Sequence, residues 1–325
     1  PNIHVTLFDA PKSLIALKNT AKARGVRMMD KIYAMDLLKN GDKVAGAMGF
    51  GLVDGETYLF NAKATIIATG NCGYMHEKTY SSVLGEGAAM GYRAGAQLIN
   101  AEFNSSYVWG TKILGKELMG IYFYKYLENA KGERIMFKHY PQLNMESKEP
   151  VYTFDPRVID AMQKEVNAGN GPIYINLAGL TDGEIAALGD DIVPELSHLM
   201  ANDTMKLLRE KVGVEPTKEK IEMWPRYLYS GGGLRVDING KTTLEGLYAA
   251  GGASQNCWSG GGGGQAGMGV HSAAVTGFVA GENAAKYAKA NRLTDIDNKY
   301  AQKTCERVFE PMHRKGTVDA SEIAY

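Results

Sequence analysis

Cysteine is scarce in this chain of 325 residues: Cys72, Cys257 and Cys305 stand alone, with no C-x-x-C spacing. That pattern excludes a disulfide framework, a structural zinc and an iron-sulfur cluster held by this chain, and it predicts a reducing compartment, hence a cytoplasmic location. Net charge is missing as well, because 36 basic residues balance 36 acidic ones. Nothing favours nucleic acid or an anionic membrane surface. No signal peptide is visible and no initiator Met precedes Pro1, so a fragment or a processed chain is expected. The length allows a large core and two domains.

The stretch from Gly246 to Gly281 contains no Asp, Glu, Lys or Arg, yet glycine, serine, asparagine and glutamine interrupt its apolar runs. A membrane span is thereby excluded. Leu247 to Ala250 reads as a short buried strand ending on Gly251 and Gly252, and a helix of small residues is expected from about Gln265. Five glycines, Gly260 to Gly264, lie between. A strand that ends on glycine and feeds a helix start lets a flat ligand rest against bare backbone, with the helix amides presenting positive charge to it. The alternative is a flexible surface loop.

A second anchor is Asn61 to Gly70, NAKATIIATG. Small and β-branched residues from Ala64 to Thr69 predict a central parallel strand buried on both faces. Its tip, Ala68, Thr69, Gly70 and Asn71, is where a doubly wound sheet places its ligand. Leu84 to Asn100 reads as one helix with Glu86 near its start. That carboxylate either complements the positive helix end or bonds a ligand.

Around these anchors the pattern predicts a strand at residues 3 to 9 and a helix from Ala10 to Arg24. Strands Arg27 to Leu37 and Lys43 to Leu52 flank the turn at Asn40-Gly41, and Thr57 to Phe60 completes an antiparallel ribbon. From Glu102 to Pro225 aromatics become dense. A strand is expected at Arg134 to Lys138, helices at Pro156 to Ala168 and Glu195 to Val212, and a strand at Pro172 to Asn176. The segment reads as an α+β insertion over a substrate cleft. A strand is expected again at Leu234 to Ile238, and a charged helical segment from Arg292 to Tyr325.

The ordered set of motifs resembles the flavoprotein subunits of succinate dehydrogenase and fumarate reductase, with L-aspartate oxidase and the α chain of adenylylsulfate reductase as relatives. The carriers are A-T-G at 68 to 70, G-E-G-x-x-M-G-x-x-A-G-A at 85 to 96, N-x-x-G-E-R at 129 to 134, G-G-L-x-V-D at 232 to 237 and G-L-Y-A-x-G-G at 246 to 252. VAGAMGF at 44 to 50 and GNGPIYIN at 169 to 176 look most like the adenylylsulfate reductase branch.

The resemblance implies an α/β fold. A Rossmann-like FAD-binding domain (1–103 and 226–290) would carry an inserted α+β capping domain (104–225) and the start of a C-terminal helical domain (291–325). It implies FAD as cofactor, contacted at Ala68, Thr69, Gly70, Asn71, Glu86, Gly251, Gly252, Met268 and Gly269. It implies an iron-sulfur partner subunit, hence a hetero-oligomer, and an FAD-dependent oxidoreductase. The N-terminal G-x-G-x-x-G turn and the ribose-binding acid of the family are not found in this sequence.

The family's substrate-binding cations are also replaced. Its H-x-x-G-G histidine aligns with Leu228 or Tyr229, its H-G-A-N-R-x-G arginine falls in the Gly260 to Gly264 run, and its H-P-T-G histidine is replaced near Asn104 to Tyr107. A small dicarboxylate is therefore not the expected substrate. Arg226, Tyr229, Trp258 and Tyr107 are the candidates to face it. Adenylylsulfate-type sulfur chemistry is one alternative; a non-catalytic electron-transfer subunit is another, and a flavin-free scaffold a third.

Overall fold

A computed structural model describes residues 10–72, 84–102, 104–105, 108–111, 123–143, 156–187, 205–226, 229–230, 232–254 and 268–316. The expected strand at 3 to 9 lies outside them. Helix α1 (Ala10–Ala23) precedes a three-stranded antiparallel ribbon of β1 (Ile32–Asn40), β2 (Lys43–Gly51) and β3 (Thr57–Asn61). The first strand starts at Ile32 rather than Arg27, because Lys31 adopts a φ of 61° that interrupts extended backbone.

β4 (Thr65–Ile67) runs parallel to β13 (Leu247–Ala249), with Thr65, Ile66 and Ile67 opposite Leu247, Tyr248 and Ala249. The two anchors thus meet as neighbouring strands. Ile67 is buried, but Ile66 is 42% exposed, so the second face of this strand is only partly covered. α2 (Glu86–Ala94) ends earlier than Asn100. Gly95 is left-handed there and donates its N–H to Gly91 and Tyr92 carbonyls, closing the helix before the short β5 (Leu98–Ile99). Ile67, Met90, Leu234, Leu247 and Ala249 pack into one core with Leu37 and Val44 of the ribbon. Each of the larger of these side chains contributes about 1.5 to 3 kcal/mol when fully buried.

A second sheet follows. β6 (Asn104–Ser105) pairs with β11 (Tyr229–Ser230), while β7 (Val108–Thr111), β10 (Ile221–Arg226), β9 (Ile173–Ile175) and β8 (Leu127–Glu128) form a four-stranded sheet in that order. It has its own core, including Leu127, Met162, Ile175 and Met223. The expected strand at Arg134 to Lys138 is instead helix α3 (Ile135–His139). The turn before it explains the change: Asn129 Oδ1 accepts the backbone N–H groups of Lys131 and Glu133, and the chain emerges into a helix that buries Ile135 and Met136.

α4 (Pro156–Asn167) and α5 (Asp182–Ala187) complete this unit. Of the helix expected at Glu195 to Val212 only the last residues are described, and they close as a π-turn at Leu208–Val212.

The chain returns through β12 (Gly233–Leu234), shorter than the strand expected to Ile238, because the chain folds at Asp237, whose backbone N–H reaches the Lys241 carbonyl. α6 (Met268–Ala290) covers β13 and β4. α7 (Asn298–His313) is capped by Asp297 and packs Ala301 against Leu38 and Met48 of the ribbon. Among the described residues no helix is long and apolar enough to cross a membrane.

Candidate functional site

Parallel pairing brings the tips of β4 and β13 side by side. The Ala250 N–H donates to the Ile67 carbonyl at 3.0 Å, so Ala68 to Asn71 and Gly251 to Ala253 leave the sheet together. Neither tip carries bulk at the point of contact. A Cβ on Gly252 would lie 1.8 Å from Asn71 Oδ1 and 2.9 Å from Asn71 N. Only glycine fits there.

Two helices converge on these tips. At the start of α2, a Cβ on Gly87 would lie 2.1 Å from Thr69 Oγ1, which seats the helix directly on the β4 tip. From the other side, Thr276 of α6 accepts the Gly251 N–H at 2.8 Å and donates its own hydroxyl proton to the Ser272 carbonyl. α6 begins at Met268, so Met268 and Gly269 form its first turn, ahead of the tip contacts made by Ala273 and Thr276. The nine residues expected to bind a cofactor therefore fall on three converging features: the β4 tip, the β13 tip with α6, and the start of α2.

Glu86 opens α2 with its carboxylate already engaged. Tyr33 of β1 donates to Oε1 at 2.7 Å and the Leu84 N–H to Oε2 at 3.0 Å. Burial opposes ionisation of this carboxyl, but the bonds it accepts from its own backbone N–H, Tyr33 and Leu84 outweigh that and hold its pKa below the ordinary value. Burial, reinforced by the Glu86 carboxylate, pushes the Tyr33 hydroxyl up to about 12.

One polar atom at the tips is left over. Thr69 Oγ1 is buried and has no hydrogen-bond partner in the structure. An unsatisfied buried hydroxyl costs about 1 to 3 kcal/mol, and a ligand that supplies a partner recovers it. The site thus offers an unused hydroxyl, bare backbone at Gly252 and a helix start, a donor set suited to a flat polar ligand.

Of the four candidates to face a substrate, Arg226 and Tyr229 lie in β10 and β11, and Trp258 and Tyr107 fall outside the described residues. The five glycines at 260 to 264 also lie outside them. Sequence patterning missed Tyr33 and Thr276. Thr276 carried a faint signal, a lone β-branched hydroxyl within a small-residue helix, whereas Tyr33 lies 53 positions from Glu86 and carried none.

Comparison with known proteins bears on this arrangement. The profile of a family described as FAD binding domain matches residues 2–270. The chain is 27% identical over 326 aligned positions to one subunit of the fumarate reductase (CoM/CoB) of Methanothermobacter marburgensis, covering 95% of this chain and 54% of that protein. It is 30% identical over 318 positions to the fumarate reductase flavoprotein subunit of Mycobacterium tuberculosis, covering 89% of this chain and 51% of the relative.

Among solved structures, a quinol-fumarate reductase superimposes with a TM-score of 0.74 at 22% identity, over 95% of this chain and 54% of the other. The adenylylsulfate reductase of Archaeoglobus fulgidus gives 0.58 at 20% identity, over 87% and 50%. Fumarate reductase and adenylylsulfate reductase, two of the four kinds of protein named by the motif resemblance, are therefore among those the chain is similar to. The chain spans about half the length of the curated relatives it matches.

Proposed function

The chain belongs to the FAD binding domain family, and on that premise we propose that it forms the flavin seat of an FAD-dependent oxidoreductase subunit. The observation that carries this reading is the pair of strand tips, stripped of bulk at Gly252 and holding the unpartnered Thr69 hydroxyl. Bound FAD supplies two-electron chemistry at its ring N5. The chain's own residues do the rest. Thr69 offers a hydrogen bond, Gly251 and Gly252 admit the ligand to the backbone, and the first turn of α6 at Met268 and Gly269 places amide dipoles where a reduced, anionic flavin needs them.

Under the same reading, residues 104–225 cap the substrate, supported by their separate core. Arg226, Tyr229, Trp258 and Tyr107 line the cleft, and electrons exchange with an iron-sulfur partner subunit in a hetero-oligomer. The three isolated cysteines support a reducing, cytoplasmic setting.

The substrate is not a small dicarboxylate. Leu228 or Tyr229, the glycine run and the segment 104–107 stand where the resembling enzymes place cations, and a buried dicarboxylate with Arg226 as its one cation among the candidates keeps a carboxylate unpaired, which costs on the order of several kcal/mol. Mixing reduced, FAD-loaded protein with fumarate and, separately, with adenylylsulfate tests this. Fumarate is expected to leave the flavin reduced. Rapid reoxidation by fumarate would overturn the substrate assignment while leaving the flavin seat intact.

A further inference from the structure

A cavity of about 600 Å³ opens between α6 and the segment that follows β12. Val275 and Val279 of α6 form an apolar wall, and Asn100, Ser272 and Asp237 supply polar groups. Gly240 closes one end, since a Cβ there would come within 2.9 Å of the Ala280 methyl. This volume, with a largely apolar wall and few polar groups, is that of a small-molecule site.

Charge decides the class of ligand. Among the described lining residues there is no Lys, Arg or His, and Asp237 is the one acid. Its Oδ1 accepts the backbone N–H groups of Asn239 and Lys241, both at 2.9 Å, which fixes the carboxylate at the turn without a counter-charge from those donors. An anion bound here would meet a fixed like charge and no cation among those residues. The geometry points to a binding site for a small apolar amine, its ammonium group toward Asp237 and its carbon body against Val275 and Val279. The cavity adjoins the β13 tip through Ala249, Ser254 and Thr276, but Asp237, Val275 and Val279, which would hold the amine, lie outside the tips, so the amine series reads this site separately from flavin content.

Isothermal titration of the chain with phenethylamine, phenethyl alcohol and phenylacetate tests it. Phenethylamine is expected to bind up to about fivefold more tightly than phenylacetate, the worth of a partly exposed ion pair. Asp237→Asn keeps an oxygen for the turn amides, removes the charge and is expected to bring the two probes level. Val275→Trp, which fills the cavity from an exposed helix position, is expected to abolish phenethylamine binding. Phenylacetate binding as tightly as phenethylamine, no binding by any probe, a preference that survives Asp237→Asn, or binding unaffected by Val275→Trp would each overturn the proposal.

Discussion

Gly252 and Asn71 sit so close that a Cβ on the glycine would fall 1.8 Å from the asparagine Oδ1. The two strand tips touch at this point through one side chain and bare backbone.

Gly252→Ala in the intact protein is therefore expected to destabilise the fold by about 1 to 3 kcal/mol, as overpacking does, and to lower flavin content. Asn71→Ala in the same background removes the Oδ1 clash but not the 2.9 Å approach of the Asn71 backbone N, so it restores stability only in part. Thermal unfolding and flavin absorbance near about 450 nm read both effects. Full tolerance of the alanine would show that the tips do not pack this way.

Thr69→Val removes the buried, unpartnered hydroxyl. The flavin-free protein is expected to be as stable or more stable by about 1 kcal/mol, while flavin affinity falls by about fivefold, the worth of one neutral hydrogen bond. Flavin titration of wild type and variant checks it. Equal affinities would remove Thr69 from the binding set.

Glu165 is 1% exposed and receives hydrogen bonds from Asn129, His139, Lys138 and Asn170. Burial alone would raise its pKa, but these donors bring it down to about 2. A folded pKa below the unfolded value, about 4.3, means that its stabilisation is complete above that value and is lost as pH falls toward the folded pKa. Glu165→Gln is expected to cost about 3 kcal/mol at neutral pH, as loss of a buried charge partner does, and to flatten the acid limb between about pH 4 and 2. Urea unfolding across that range measures it; an unchanged acid limb would contradict the assignment.

Asp36 is buried beneath two guanidinium groups: Arg93 of α2 donates to its Oδ2 at 3.1 Å, and Arg307 of α7 contacts the same oxygen. Asp36→Ala leaves both cations without it, at a cost of about 1 to 2 kcal/mol, because the two guanidiniums are partly exposed and regain water. Amide exchange is expected to accelerate first in residues 298–313, because that pair and the packing of Ala301 fasten α7 to the ribbon. Uniform acceleration throughout the chain would contradict a local role.

Local chemistry made the ribbon and the parallel pair legible. Gly41 marks the β1–β2 turn with a φ of 60°, and the small residues of NAKATIIATG and GLYAAGG end two strands that pair. The same signals picked out the β4 tip, the β13 tip and the start of α2 as the candidate binding surface. Alternation misled at Arg134 to Lys138, where the hydrogen-bonded turn at Asn129 and the pull of Glu165 on Lys138 and His139 favour a helix. Apolar spacing ran past the true end of α2 because Leu98 and Ile99 continue the pattern after Gly95 has closed the helix. Contacts such as Tyr33 with Glu86 depend on elements far apart in the chain, and nothing local announces them.

A structure determined with FAD present tests the central claim most directly. The flavin is predicted to lie against Thr69 to Asn71 and Gly251 to Gly252, with Thr69 Oγ1 hydrogen-bonded to it. Flavin density elsewhere, with solvent over those strand ends and Thr69 still unpartnered, would contradict the account.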